Sequence, residues 1–156
     1  MEKWIFSLKL RNSAGVLASL TALFADRGVS IESLTAHGSS GPSLPQGTAV
    51  LTFTASDTRK AHLARLLRRL ASVVELTEFR YDDAGHARKS ALARVTLSPD
   101  ALRACLPPGI LCDVVSEAES STLVLLLGPP PVLDTLLAQL NAEKVLQEMD
   151  STVIVV

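Results

Sequence analysis

Aromatic residues are scarce: one Trp, one Tyr and four Phe make up 4% of the 156 positions. RNA-recognition sheets stack bases on such rings, and the one candidate strand, 48–55, offers Phe53 alone with no glycine-aromatic pattern around it. An excess of one charge is lacking too. Fifteen Lys and Arg against sixteen Asp and Glu leave a net charge of −1, without the basic surplus that phosphate-backbone binding needs. No nucleic-acid partner is expected. The two cysteines, Cys105 and Cys112, lie seven apart outside any CxxC pair, and His37, His62 and His86 are scattered. That is not the spacing of a metal site, so buried or half-buried thiols are expected. Long apolar runs are missing as well. The longest aliphatic run is Leu123 to Leu127, and Met1 leads straight into an alternating segment, so neither a membrane span nor an export signal is expected and the predicted location is the cytoplasm.

A catalytic constellation is also lacking. His37 and His86 fall in predicted loops without a partner, and Ser39, Ser40, Ser120 and Ser121 fall in predicted turns, where serine is common. Gly38, Gly41 and Gly47 match neither GxGxxG nor GxxxxGK[ST]. No catalytic residue and no metal ligand is predicted. What remains is aliphatic. A 47% hydrophobic share with few rings implies a core of Leu, Val and Ala, and a mean hydropathy of +0.30 is high for a soluble monomer, which points to buried subunit interfaces.

The pattern along the chain is α+β. Trp4, Phe6, Leu8 and Leu10 alternate with Ser7, Lys9 and Arg11 as in a half-buried strand. Asn12 and Ser13 are placed to cap a helix whose apolar stripe is Val16, Leu17, Leu20, Leu23 and Phe24, with Arg27 suited to its last turn and Gly28 to its end. Strands are predicted over 29–36, 48–55 and 73–81, with a loop from His37 to Gly47 and a Ser56-capped helix bearing Leu63, Leu66, Leu67 and Leu70. The arginines of that helix read as a solvated face. A charged stretch at 83–89 separates this block, 1–82, from a second, 90–156. There the order recurs: a strand, a short helix opened by Ser98-Pro99-Asp100, two strands around a turn at Glu117 to Ser120, a helix after Gly128, and a last strand from Val145. Two tandem ferredoxin-like βαββαβ modules are predicted.

The turn between the first strand and helix admits two readings, helix capping and ligand binding. Free N–H groups at a helix start take a carboxylate, the Asn12 amide can meet an amino group, and Ala14 and Gly15 leave room, which together describe an amino-acid pocket.

Asn12-Ser13-Ala14-Gly15-Val16-Leu17, continued by Leu23-Phe24-Ala25-Asp26-Arg27-Gly28-Val29-Ser30-Ile31-Glu32-Ser33-Leu34, resembles the ACT domain of acetolactate synthase (acetohydroxyacid synthase) small regulatory subunits. The likeness covers Trp4 to about Tyr81 well. It extends more weakly over Leu92 to Val156, around Cys112-Asp113-Val114-Val115. It implies a non-catalytic homodimer that binds a branched-chain amino acid, valine first, between paired ACT domains and regulates a catalytic large subunit. Thiamine diphosphate, Mg and FAD are expected only in that partner. The implied ligand contacts are Asn12, Ala14, Gly15, Val16 and Leu17 of one chain and Ser30 and Ile31 of the facing chain. Ser30 stands where the family has Asn, and losing one hydrogen bond to a charged ligand group costs roughly 1.5–3 kcal/mol, about tenfold to a hundredfold in affinity. A free-standing ACT-domain amino-acid sensor without an enzyme partner is the alternative.

Overall fold

Trp4, Phe6, Leu8 and Leu10 are all buried along one face of strand β1 (Glu2–Arg11), and that face sets the first half of the fold. The structure, a computed structural model, describes residues 1–38, 46–83 and 85–155. Helix α1 (Val16–Ala25), strands β2 (Ile31–Gly38) and β3 (Gln46–Ala55), helix α2 (Asp57–Leu67) and strand β4 (Val73–Arg80) follow β1. The sheet order is β2-β3-β1-β4, antiparallel throughout the pairs β2/β3, β3/β1 and β1/β4. Both helices pack on the β1 face. Phe53 of β3 lies at the centre, edge-on to Phe6 at 4.7 Å and to Phe24 of α1 at 5.1 Å, both geometries that ring quadrupoles favour. Phe53 is thus a core residue, unavailable for stacking on a base.

The second half repeats this order. Strand β5 (Ala87–Val95), helix α3 (Pro99–Cys105), strands β6 (Leu111–Ala118) and β7 (Ser121–Gly128), helix α4 (Pro130–Ala142) and strand β8 (Leu146–Val155) form a second sheet, β6-β7-β5-β8. Its core is aliphatic, led by Val124, Leu126, Leu133 and Leu140. The chain divides into compact units Met1–Asp83 and Ala84–Ile154. Equivalent details recur in both. The Arg11 N–H bonds the Ser72 carbonyl at 2.8 Å, and the Thr96 N–H bonds the Val145 carbonyl at 2.9 Å, each tying the end of a unit's first strand to the start of its last.

Several local expectations are corrected. Neither Asn12 nor Ser13 caps α1 through its side chain: the N-cap is Gly15, and α1 has no side-chain cap. Arg27 lies beyond α1, whose last turn holds no base; Gly28, at φ 62°, ends it, with the Val29 N–H returned to the Phe24 carbonyl at 3.1 Å and that of Gly28 to Ala25 at 3.0 Å. The second strand starts at Ile31 and runs past Ala36, so His37 is a strand residue paired with Thr48. The middle of the expected 37–47 loop, residues 39–45, lies outside the described residues. Ala87, Arg88 and Lys89 belong to β5, which shortens the expected 83–89 linker. Glu117 and Ala118 pair with Thr122 and Ser121, leaving only Glu119 and Ser120 as the turn. The expected caps Ser56 and Ser98 do accept bonds from the N–H groups of Arg59 and Ala101.

Candidate functional site

The site begins where β1 runs out of partners. After Arg11 the chain turns through Asn12 to Gly15, and Gly15 sits at φ 82°, ψ −4°, a left-handed conformation that glycine adopts without a Cβ penalty. A side-chain cap is therefore not made, and the helix start stays open. The Val16 N–H reaches the Ser13 carbonyl only at 3.4 Å, and the first helical bond is from the Ser19 N–H to the Gly15 carbonyl at 2.9 Å. Leu17 and Ala18, in the first turn between them, have no intrahelical carbonyl to take their N–H groups. The first turn of α1 also contains no acid, in contrast to Asp57 in α2 and Asp100 in α3. The positive end of the α1 dipole is not offset by a carboxylate of its own.

A pocket of about 350 Å³ lies over this end. Its walls are the turn and first turn of α1, the last residues of β2 and the first of β3, which the β2/β3 ladder brings together. Gly38 and Gly47 pair across that ladder, so part of the lining carries no side chain. The Asn12 side chain leans on Gly38: a methyl group there would meet Asn12 Nδ2 at 3.1 Å. Arg11, His37 and Thr48 add a cation, an imidazole and a hydroxyl to the lining, and Leu17 adds an apolar side chain that is 41% exposed. The volume suits a small metabolite. A free helix start, a guanidinium and an imidazole suit an anionic group on it, and the apolar wall suits a short aliphatic chain.

Of the residues predicted from sequence, Asn12, Gly15, Val16 and Leu17 line this pocket. Val16 does so while its side chain belongs to the core. Ala14 is exposed in the turn and does not line it, and Ser30 and Ile31 lie at the opposite end of β2, Ser30 exposed and Ile31 packed on the core. Arg11, His37, Gly38, Gly47 and Thr48 were not foreseen. No local signal marked His37: burial alternates from Ile31 to Thr35 and stops there, with Ala36, His37 and Gly38 all exposed. Among the described residues no group of three His, Cys, Asp or Glu is placed to hold a metal, and no helix is long and apolar enough to cross a membrane.

Residues 4–75 match the family model of the ACT domain. No curated protein matches the sequence. Among solved structures, the chain is similar to the acetolactate synthase small subunit from Thermotoga maritima, with a TM-score of 0.77, 18% identity, and coverage of 100% of this chain and 97% of that one. It also matches the regulatory subunit of aspartate kinase from Thermus thermophilus in its ligand-free form, with a TM-score of 0.45, 16% identity, and coverage of 90% and 91%.

Proposed function

Taking residues 4–75 as an ACT domain, we propose that the chain is the non-catalytic regulatory subunit of an acetolactate synthase-like, thiamine-diphosphate-dependent enzyme and that it senses a branched-chain amino acid. The observation that carries this reading is the pocket at the open start of α1. Its free N–H groups are suited to a carboxylate, Asn12 to the ammonium and Leu17 to an aliphatic side chain. The Arg27 to Leu34 stretch and the full-length likeness in fold to a small subunit support the choice of enzyme.

The pocket is completed by a second copy in this reading. Strand β2 is an edge of its sheet, the position at which another strand can be added. Two identical edges related by a two-fold axis pair antiparallel, which sets the Ile31 end of one β2 beside the Gly38 end of the other. Ser30 and Ile31 of the facing chain then arrive at the pocket that Ala36, His37 and Gly38 line. A ligand held between two chains ties its occupancy to the arrangement of the dimer, and any difference in affinity between two arrangements shifts the one presented to the catalytic subunit. Thiamine diphosphate, Mg and FAD belong to that partner.

The test is acetolactate formation by the cognate catalytic subunit alone, with this protein, and with this protein plus valine, leucine or isoleucine. A rise on adding the protein, reversed by one of the amino acids, is the expected result. No change in rate under any condition would overturn the reading and leave a stand-alone sensor.

A further inference from the structure

Helix α2 has a second feature that the amino-acid pocket does not use. Arg59, His62 and Arg65 recur at i, i+3 and i+6, one row along the helix, and Arg69 continues it just past the end. Arg27, from the α1–β2 connection, reaches the same row: its Nε lies 3.4 Å from His62 Nε2, while an Arg65 terminal nitrogen lies 2.9 Å from His62 Nδ1. A neutral imidazole has one acceptor nitrogen, so only one of these guanidinium groups finds an acceptor in the ring. The other faces an N–H.

No carboxylate among the described residues offsets this. Other cations of the described residues do reach a carboxylate, among them Lys60 and Arg68 on the flank of the same helix, which share Glu78. Among the described residues no carboxylate pairs with Arg27, Arg59, Arg65 or Arg69. The concentration is not a by-product of a basic protein, since the net charge is −1. All four are arginines, whose planar fork matches carboxylates and is desolvated more cheaply than an ammonium.

We propose that the Arg27–Arg59–His62–Arg65 face of α2 docks an acidic polypeptide surface of the partner enzyme, whose carboxylates supply the acceptors missing around His62. A protein fits better than a small anion. The row spans about two turns of the outside of a helix, and the open depression of about 480 Å³ over it is lined by Thr58, Arg59, Ala61, His62 and Arg65, all from α2, so no second element closes over a metabolite there. A nucleic acid fits less well, as no exposed aromatic ring accompanies the row. The inference rests on the regulatory-subunit reading, to which it adds the contact surface.

The experiment compares the full-length protein with Arg59→Glu/Arg65→Glu and, as a milder pair, Arg59→Gln/Arg65→Gln. Each is titrated by calorimetry against the catalytic subunit, a synthetic hexaglutamate peptide and inorganic pyrophosphate, at about 50 mM and about 300 mM salt, with far-UV circular dichroism to verify folding. Expected are salt-sensitive binding of enzyme and peptide by the unaltered protein, a loss of about tenfold or more with the Gln pair and a larger one with the Glu pair, and unchanged amino-acid binding at the other site. Equal binding of the enzyme by all three proteins overturns the surface and leaves the regulatory reading intact. Peptide binding that requires these arginines, without enzyme binding, supports the acidic surface while overturning the regulatory reading. Failure of the unaltered protein to bind either overturns both. Pyrophosphate bound more tightly than the peptide, and lost in the same variants, replaces the protein partner with a small anion.

Discussion

The Asn12 side chain rests against Gly38, so that a methyl group on Gly38 would come within 3.1 Å of Asn12 Nδ2 and 3.6 Å of its Cγ and Oδ1. Asn12 is exposed, and its amide can swing away. Gly38→Ala is accordingly expected to leave stability within about 0.5 kcal/mol of the parent while displacing the amide from the pocket. Asn12→Ala removes the group altogether, and the loss of one hydrogen bond to a charged ligand atom is worth about 1.5–3 kcal/mol. Calorimetric titration with valine should show affinity falling about tenfold to a hundredfold for Asn12→Ala, and falling in the same direction for Gly38→Ala, with the melting temperature of each nearly unmoved. Valine affinity unchanged in both would remove Asn12 from the site.

Ser30 supplies one hydroxyl, where an asparagine would supply an amide with an acceptor and two donors. In the proposed dimer it approaches the ligand from the facing chain. Ser30→Asn should then raise valine affinity by about tenfold to a hundredfold, and Asn12→Ala in the same chain should cancel most of the gain. An equal gain with and without Asn12 would mean that the two positions do not share one ligand.

The first core turns on Phe53. It is fully buried and edge-on to both Phe6 and Phe24, joining β1, β3 and α1. Phe53→Ala leaves a cavity under α1 and should cost about 3–5 kcal/mol in urea unfolding. Tandem units predict a further effect: the second unit, with its own core, should keep its own transition, and the unfolding curve should separate into two steps. A single shifted transition would show that the units unfold together.

Much of this architecture was legible because both units obey strict patterns. Period-2 alternation over Trp4 to Leu10, and over Ala91 to Val95, needs no tertiary information, and neither do the serine caps at Ser56 and Ser98. The site was legible only in part. Asn12, Gly15, Val16 and Leu17 are local to one turn, so their grouping followed from sequence spacing. Arg11 gave no local signal that set it apart from any strand-end cation. His37, Gly47 and Thr48 join the site through the register of β2 on β3, which pairs His37 with Thr48 and Gly38 with Gly47, and register across a long connection is not a local property. The open cap was misread for a related reason. Asn and Ser before a helix favour side-chain capping on average, but the left-handed Gly15 places the N-cap two residues beyond Ser13.

One helix in each unit ends on a left-handed residue, and the residue differs. Gly28 occupies the left-handed position after α1 at φ 62°, and Lys144 does so after α4 at φ 61°, with the Val145 N–H returned to the Leu140 carbonyl at 3.0 Å. A side chain in that conformation costs about 1–2 kcal/mol, and a glycine loses about 0.5–1 kcal/mol more backbone entropy on folding. The first term exceeds the second. Lys144→Gly should therefore stabilise the second unit by up to about 1 kcal/mol, read as a later denaturant midpoint with an unchanged slope. A lower midpoint would mean that the Lys144 side chain contributes a contact that outweighs the strain.

Glu78 contributes to the acid response of the first unit. Burial works to raise its carboxyl, but hydrogen bonds from Lys60 and Arg68, backed by their charges, outweigh burial and hold it below the ordinary glutamate value. Lys60 Nζ and an Arg68 terminal nitrogen each lie 2.8 Å from its oxygens. A carboxyl whose folded-state value is depressed releases its proton more readily when folded, so the unfolded chain binds more protons in the window between the two values and stability rises with pH there. The stabilisation is complete above the unfolded-state value and is lost as pH falls through the lowered folded-state value. Glu78→Gln removes that dependence. Near neutral pH the variant should be less stable by about 1 kcal/mol, as expected for partly exposed ion pairs, and the gap from the parent should close as the pH drops through the acid range. Chemical denaturation of both proteins across that range measures it, and a gap that stays constant with pH would show that Glu78 acts through packing and not through its charge.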